Sequence, residues 1–298
     1  MKKIIILCML LTIQKVQAQM DPLQAQYVNT PMVINPAYAG LTRDLNLAVD
    51  YRKQWAGFDG SPRTFSASGH MAINKNKMGL GLLAVQDHVG SNTTTEMEAI
   101  YSYHLPVNNE TTLSFGLQFG AINYQTDYSE LIVAPNDPKL ETANEWQPNF
   151  GAGLILTNDV YFLSFSLPKM LKPSTETASQ GLYNRSLYLM GGYNFTLSSR
   201  LRLKPYALLR AATDTKSSYD VGINLLGDDS YVVGAFTRSF HTYGLMAQLR
   251  LDELLRVGYV FELPTNQSAG TQYTTHELQL IMRLRMTEFH DLTRVRSF

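Results

Sequence analysis

The feature that most constrains this chain is a period of two, held over long segments and repeated to near its end. Leu45, Leu47, Val49 and Tyr51 alternate with Asn46, Ala48, Asp50 and Arg52. Leu113, Phe115, Leu117 and Phe119 alternate with Ser114, Gly116, Gln118 and Gly120. Such alternation marks a strand with two unlike faces. About fourteen strands are predicted, at 44–52, 64–72, 78–86, 94–105, 111–120, 147–156, 160–167, 184–196, 201–213, 217–227, 230–238, 242–251, 253–262 and 273–286. No window gives a persuasive amphipathic helix.

Segment length and connection length select among all-β architectures. Most of the predicted strands approach the roughly 9–11 residues that a tilted strand needs to cross a membrane, whereas soluble strands are usually nearer about five or six. Connections after even-numbered strands are short, as at 74–77, 107–110 and 157–159. Several after odd-numbered strands are long: 53–63, 87–93, 121–146, 168–183 and 263–272. Outer-membrane barrels have an even number of antiparallel strands, short periplasmic turns and longer outer loops. The expected fold is therefore a closed antiparallel transmembrane β-barrel of about 14 strands. A soluble barrel or sandwich is the alternative, with its polar residues on a solvent face.

In the barrel, polar residues on the alternate positions face the lumen. Asp50, Arg52, Arg250, Arg256, Glu262, Glu277, Arg283 and Arg285 fall there, with both signs present. An Arg facing lipid at mid-depth would cost roughly 2–4 kcal/mol; inside a lumen it can pair. Tyr101, Tyr103, Tyr161, Phe162 and Tyr183 lie near strand ends, where interfacial girdles form.

The first residues suggest export. Lys2 and Lys3 precede an apolar run from Ile4 to Ile13, and Val16-Gln17-Ala18 has the spacing of a cleavage site. Residues 1–18 are expected to be a secretory signal, 19–43 a periplasmic or plug segment, 44–286 the barrel and 287–298 a periplasmic tail. The single cysteine, Cys8, lies in the signal, so the mature chain is expected to hold no disulfide and no thiol ligand. Removal of the signal takes three lysines and no acid, leaving 22 basic against 25 acidic residues. Without a basic stripe, nucleic acid is an unsuitable partner.

Catalytic signatures are missing. There is no Gly-x-Ser-x-Gly elbow, no His-Glu-x-x-His and no P-loop. Asp87-His88 is the one His–acid neighbour pair in a long-loop candidate, and adjacent strand residues point to opposite faces. Asp228-Asp229 suits a solvated turn better than a calcium site. No catalytic residue, metal or cofactor is therefore expected.

Two blocks remain. Arg52-Lys53-Gln54-Trp55-Ala56-Gly57-Phe58-Asp59-Gly60-Ser61-Pro62 follows the first strand, with Asp-Gly as a turn signal. Gln54, Trp55, Phe58 and Asp59 are candidates for anchoring this loop at the lipid boundary or for contacting a partner. Upstream, Asn35-Pro36-Ala37-Tyr38-Ala39-Gly40 favours an ordered turn over a helix. Tyr27, Asn35, Pro36 and Tyr38 are expected to pack in or across the barrel mouth; a flexible leader is the alternative.

These blocks also carry a resemblance. Asp21-Pro22-Leu23-Gln24-Ala25-Gln26-Tyr27, the Asn35–Gly40 run, Gln54–Pro62, Gln86–Thr94, Asn149–Gly153 and Ser164–Pro168 resemble, in order, the PorP/SprF outer-membrane proteins of type IX secretion and gliding. Residues 28–32 and the polar tail after Met286 depart from that pattern. The resemblance implies an outer-membrane protein of a Gram-negative, Bacteroidetes-type cell that acts in secretion without chemistry of its own. The implied partners are the C-terminal domain of a large secreted surface adhesin, type IX translocon subunits, and periplasmic peptidoglycan-associated or lipoprotein components. A small-solute porin and an outer-membrane hydrolase are the alternative functions.

Overall fold

The computed structural model describes residues 23–42, 44–127, 143–171, 185–212, 217–228, 230–265 and 271–285. The expected signal (1–18) and tail (287–298) lie outside them. The described strands are β1 (Leu45–Lys53), β2 (Arg63–Ile73), β3 (Met78–Val89), β4 (Asn92–Pro106), β5 (Thr112–Thr126), β6 (Ala143–Thr157), β7 (Tyr161–Leu167) and β8 (Ser186–Tyr193). They continue as β9 (Phe195–Ser198), β10 (Leu201–Ala212), β11 (Ser218–Gly227), β12 (Tyr231–Arg238), β13 (Thr242–Arg250), β14 (Leu255–Pro264) and β15 (Thr275–Leu284). β8 and β9 both pair with β10 and are separated by Asn194 alone, so they form one wall strand.

The sheet closes on itself. Each strand pairs antiparallel with its sequence neighbours, and β15 returns to β1 from Leu45↔Leu284 to Lys53↔His276. This gives a closed 14-strand antiparallel barrel. Closure supplies backbone partners that lipid cannot.

The faces are inverted relative to a soluble protein. In β1 the buried residues are Asn46, Ala48, Asp50 and Arg52, while Leu47, Val49 and Tyr51 point outward. Leu82 is 68% exposed and Leu245 62% exposed on the same outer surface. A continuous apolar belt of this kind is untenable in water and is what a bilayer requires, so the solvent-face alternative is excluded.

Apart from the expected 121–146 loop, which loses its ends to β5 (through Thr126) and β6 (from Ala143), two connections differ from expectation. β3 and β4 extend toward each other until only Gly90-Ser91 separates them, so the expected 87–93 loop is a tight turn, with Gly90 at φ 58°. The other lies at β7, which pairs with β6 only from Ala152↔Leu167 to Thr157↔Phe162. β6 pairs with β5 over its whole length. After β7 the chain turns inward: the Pro168 carbonyl accepts Gln118 Nε2 at 3.1 Å and Asn149 Nδ2 at 3.0 Å. Lys169 meets Glu96 at 3.0 Å. In the upper β6 stretch 143–151, the Phe150 carbonyl accepts Met170 N at 2.9 Å. Pro148, which has no N–H to give to a ladder, sits within that stretch.

Candidate functional site

The lumen holds the segment preceding β1. Residues 25–38 form three 3₁₀ turns, Ala25–Val28, Pro31–Val33 and Pro36–Tyr38. Pro31 and Pro36 open the second and third, where a missing N–H costs nothing. Asn35 caps the third by accepting Ala37 N at 2.9 Å. A segment this short and turn-rich has no stability alone, so the wall must supply it. Leu23, Ala25, Tyr27, Val28 and Ile34 pack with Tyr188, Met190, Tyr206, Leu208, Phe236, Met246 and Val260. Met32, Ala37, Tyr38, Ala39 and Leu41 pack with Leu83, Ile100 and Ile155. Tyr27 and Met32 are each 1% exposed, and burial of such a side chain contributes roughly 1.5–3 kcal/mol.

Wall side chains satisfy the inserted backbone. Ser102, Ser114 and Ser166 donate through Oγ to the carbonyls of Ala39, Ala37 and Ile34, each at 2.6 Å. The Gly40 amide donates to His70 Nδ1 at 3.1 Å. Asn35 Nδ2 donates to Ser164 Oγ at 2.7 Å and to the Leu154 carbonyl at 3.0 Å. Gly79 and Gly116 make room: a Cβ on Gly116 would strike Ala37 N, and one on Gly79 the Ala39 carbonyl. Any larger residue there forces the segment off the wall.

Charges gather beside the first turn. Arg52 reaches Glu262 at 2.6 Å and Glu277 at 3.0 Å. Glu277 also accepts Ala25 N at 2.9 Å and Gln26 N at 2.8 Å. Arg238 pairs with Asp220 at 3.1 Å and with Glu262 at 3.5 Å. Tyr27 Oη donates to Asp220 Oδ2 at 3.1 Å. Burial, then the Asp220 carboxylate, pushes the Tyr27 hydroxyl well above its ordinary range, so it stays a neutral donor. Gln279 Nε2 ties Asp50 to Thr30, at 3.3 and 3.2 Å.

The structure therefore brings Tyr27, Asn35, Pro36 and Tyr38 into the lumen, and gathers Asp50, Arg52, Glu262 and Glu277 near its long-loop half. Arg256 and Arg283 line a separate cavity at the short-turn end. Arg250 and Arg285 are not enclosed by the lumen. They keep the alternating phase but lie at the end of β13 and just past β15, where the wall stops and solvent begins, and both are exposed. Asp220 and Arg238 were not singled out from sequence. Asp220 has the same signal as the others, lying between the outward Tyr219 and Val221.

The loop after β1 folds onto its neighbours. Ala56 N donates to the Thr274 carbonyl at 2.7 Å, and Trp55 N to Thr275 Oγ1 at 3.3 Å. Trp55 takes a left-handed φ of 53° to do so. Phe58 packs edge-on against Tyr273 at 5.5 Å and is 50% exposed. Gln54 N donates to the Pro62 carbonyl at 3.0 Å, and Asp59 is exposed. Among the described residues, no group of His, Cys, Asp or Glu is placed to hold a metal ion.

The family described as type IX secretion system membrane protein PorP/SprF matches residues 16–282. The chain belongs to that family. No curated protein matches it. Among solved structures, this PorP/SprF-family barrel is similar to the Acinetobacter baumannii outer membrane protein Omp33, at 10% identity and TM-score 0.43, over 81% of this chain and 99% of that one. It is also similar to the P. putida toluene transporter TodX, at 8% identity and TM-score 0.49, over 85% and 92%. A third is a Pseudomonas aeruginosa FadL homologue, at 11% identity and TM-score 0.44, over 81% and 89%. Likeness this distant carries no functional argument. The PorP/SprF-family chain is a multi-pass outer-membrane β-barrel by its family and by its own closed, lipid-facing sheet.

Proposed function

We propose that this PorP/SprF-family barrel works as a docking and anchoring partner in type IX secretion. It would engage the C-terminal domain of a secreted surface protein at its long-loop end, and translocon or peptidoglycan-linked components at the other. The observation that supports this reading is the filled lumen. Residues 23–41 occupy it through both hydrophobic clusters and the carboxylate of Glu277, and the cavity beside them measures about 50 Å³. Such a barrel is poorly suited to passing a polypeptide or a steady solute flux, so its working surfaces are its rims. Phe58 and Asp59 on the first loop are the surfaces we assign to cargo.

Purification from the native membrane in mild detergent, followed by mass spectrometry, tests the reading. Co-recovery of a large surface protein or translocon subunits is expected, reduced by Phe58→Ala or Asp59→Ala. Recovery of the barrel alone, with large steady conductance in a planar bilayer, would favour a porin and overturn it.

A further inference from the structure

The two halves of the lumen differ in sign. The half nearer the long loops sets Asp50, Asp220, Glu262 and Glu277 against Arg52 and Arg238. The half nearer the short turns contains the cavity of about 50 Å³, into which Lys204, Arg256 and Arg283 project, and none of the described residues lining it is Asp or Glu. All three basic residues lie close to the short-turn ends of β10, β14 and β15. The half-buried Arg256 and Arg283 mark the mouth, and Lys204, 6% exposed, lies deeper.

The neutral lining has groups to spare. Gln248 is 6% exposed and its Nε2 has no hydrogen-bond partner; Asn224 is 2% exposed and its Oδ1 has none. Both line the cavity. An amide can present nitrogen or oxygen after a half-turn of its head, so both can donate to one ligand. Arg283 is steadied by Nε donation to Asn46 Oδ1 at 3.2 Å, and the terminal nitrogens of a guanidinium grip a carboxylate or phosphate in pairs. Lys204 Nζ lies 4.9 Å from the Phe162 ring centroid, a contact that orients the ammonium. A water needs about 10–15 Å³ of such space, so the cavity admits a few waters or one small ion and excludes a sugar or a peptide.

We infer that this cavity is a binding site for a small oxyanion, a carboxylate or a phosphate, held by Lys204, Arg256 and Arg283 with Gln248 and entering from the short-turn end. In outer-membrane barrels that end faces the periplasm. The site borders Thr30 and Tyr38 of the inserted segment, so an occupant braces that segment from below. The inference does not depend on cargo docking, and either can fail without the other.

The test uses the full-length barrel in zwitterionic detergent, titrated with inorganic phosphate or acetate at constant ionic strength against sodium chloride. Calorimetry and the thermal midpoint are the readouts. Saturable binding of phosphate alone would identify a phosphate site; binding of acetate as well would extend it to carboxylates. The double variant Lys204→Met, Arg283→Gln should bind at least tenfold more weakly. Arg200→Gln, at an exposed turn, should leave affinity unchanged. Assembly is checked by heat-modifiable electrophoretic mobility. Should the double variant fail to assemble, the uncharged change Gln248→Leu should still weaken binding several-fold. No saturable binding of either anion above chloride, or undiminished binding in the assembled variants, would overturn the site.

Discussion

Glu277 and Arg52 are register partners across the β15–β1 seam, and their side chains meet at 3.0 Å while the same carboxylate accepts the Ala25 and Gln26 amides at 2.9 and 2.8 Å. One side chain thus joins the strands that close the barrel and fastens the segment that fills it. Removing it leaves Arg52 with Glu262 alone and frees two backbone donors. Loss of one partner of a buried pair costs about 3–5 kcal/mol. Glu277→Ala should lower the thermal midpoint and produce brief conductance events in a planar bilayer that the parent lacks. Glu277→Gln, which keeps an acceptor oxygen, should fall between them.

Gly116 offers a cleaner separation of wall from insert. It faces Ala37 N so closely that a Cβ has no space, yet it lies in a β5 strand paired throughout with β4 and β6. Gly116→Leu should let the barrel assemble but expel the third turn. Faster proteolytic cutting within residues 23–41, together with steady conductance, is the expected result. A fully protected segment with no current would contradict the seating described.

Tyr27 separates packing from hydrogen bonding. Tyr27→Phe keeps the edge contact with Tyr206 at 6.5 Å and loses only the bond to Asp220, for which a bond to a charged group contributes about 1.5–3 kcal/mol. Tyr27→Ala also opens a cavity, and such truncations cost about 3–5 kcal/mol. The two midpoints should rank in that order. Because the hydroxyl is held protonated well above its usual range, the Phe variant's deficit should not change between neutral and mildly alkaline pH.

Trp55 and Phe58, three residues apart, should respond differently. Trp55 holds a left-handed backbone tied to Thr274 and Thr275, so Trp55→Gly should be tolerated better than Trp55→Val, which is strained at that φ. Phe58→Ala removes one edge contact with Tyr273, for which about 0.5–1.5 kcal/mol is typical. Barrel yield and heat-modifiable mobility should stay near wild type while partner recovery falls. An equal fall in both would make Phe58 purely structural.

The barrel was legible because it rests on local order. A period of two, strand lengths and the rhythm of short and long connections are all written in consecutive residues, and each says which face meets lipid. The misread parts were rims. Arg250 and Arg285 keep the phase of their strands, but phase does not say where the wall ends. The 87–93 stretch has the polar composition of a loop, yet Gln86, Asp87 and His88 pair with Thr95, Thr94 and Thr93 as strand. The early end of the β7 ladder at Leu167 is hinted at by Pro168, although nothing local tells that the chain then turns into the lumen.

By itself the sequence determined an all-β chain, closed to spare its edges, with apolar faces outward and polar residues inward. Alternation decides this, since a side chain's face follows from its parity along the strand. Only the tertiary structure decided what fills the interior. The Ala25 amide meets Glu277 across 252 positions, and the Asn35 side chain meets Ser164 across 129. Such partners depend on the register of many strands at once, and on glycines whose missing Cβ matters only when another segment arrives. The pairing of acids with Arg52 and Arg238 near the long loops, and the gathering of Lys204, Arg256 and Arg283 near the short turns, are of the same kind, because closure of the barrel is what brings those strands around one lumen.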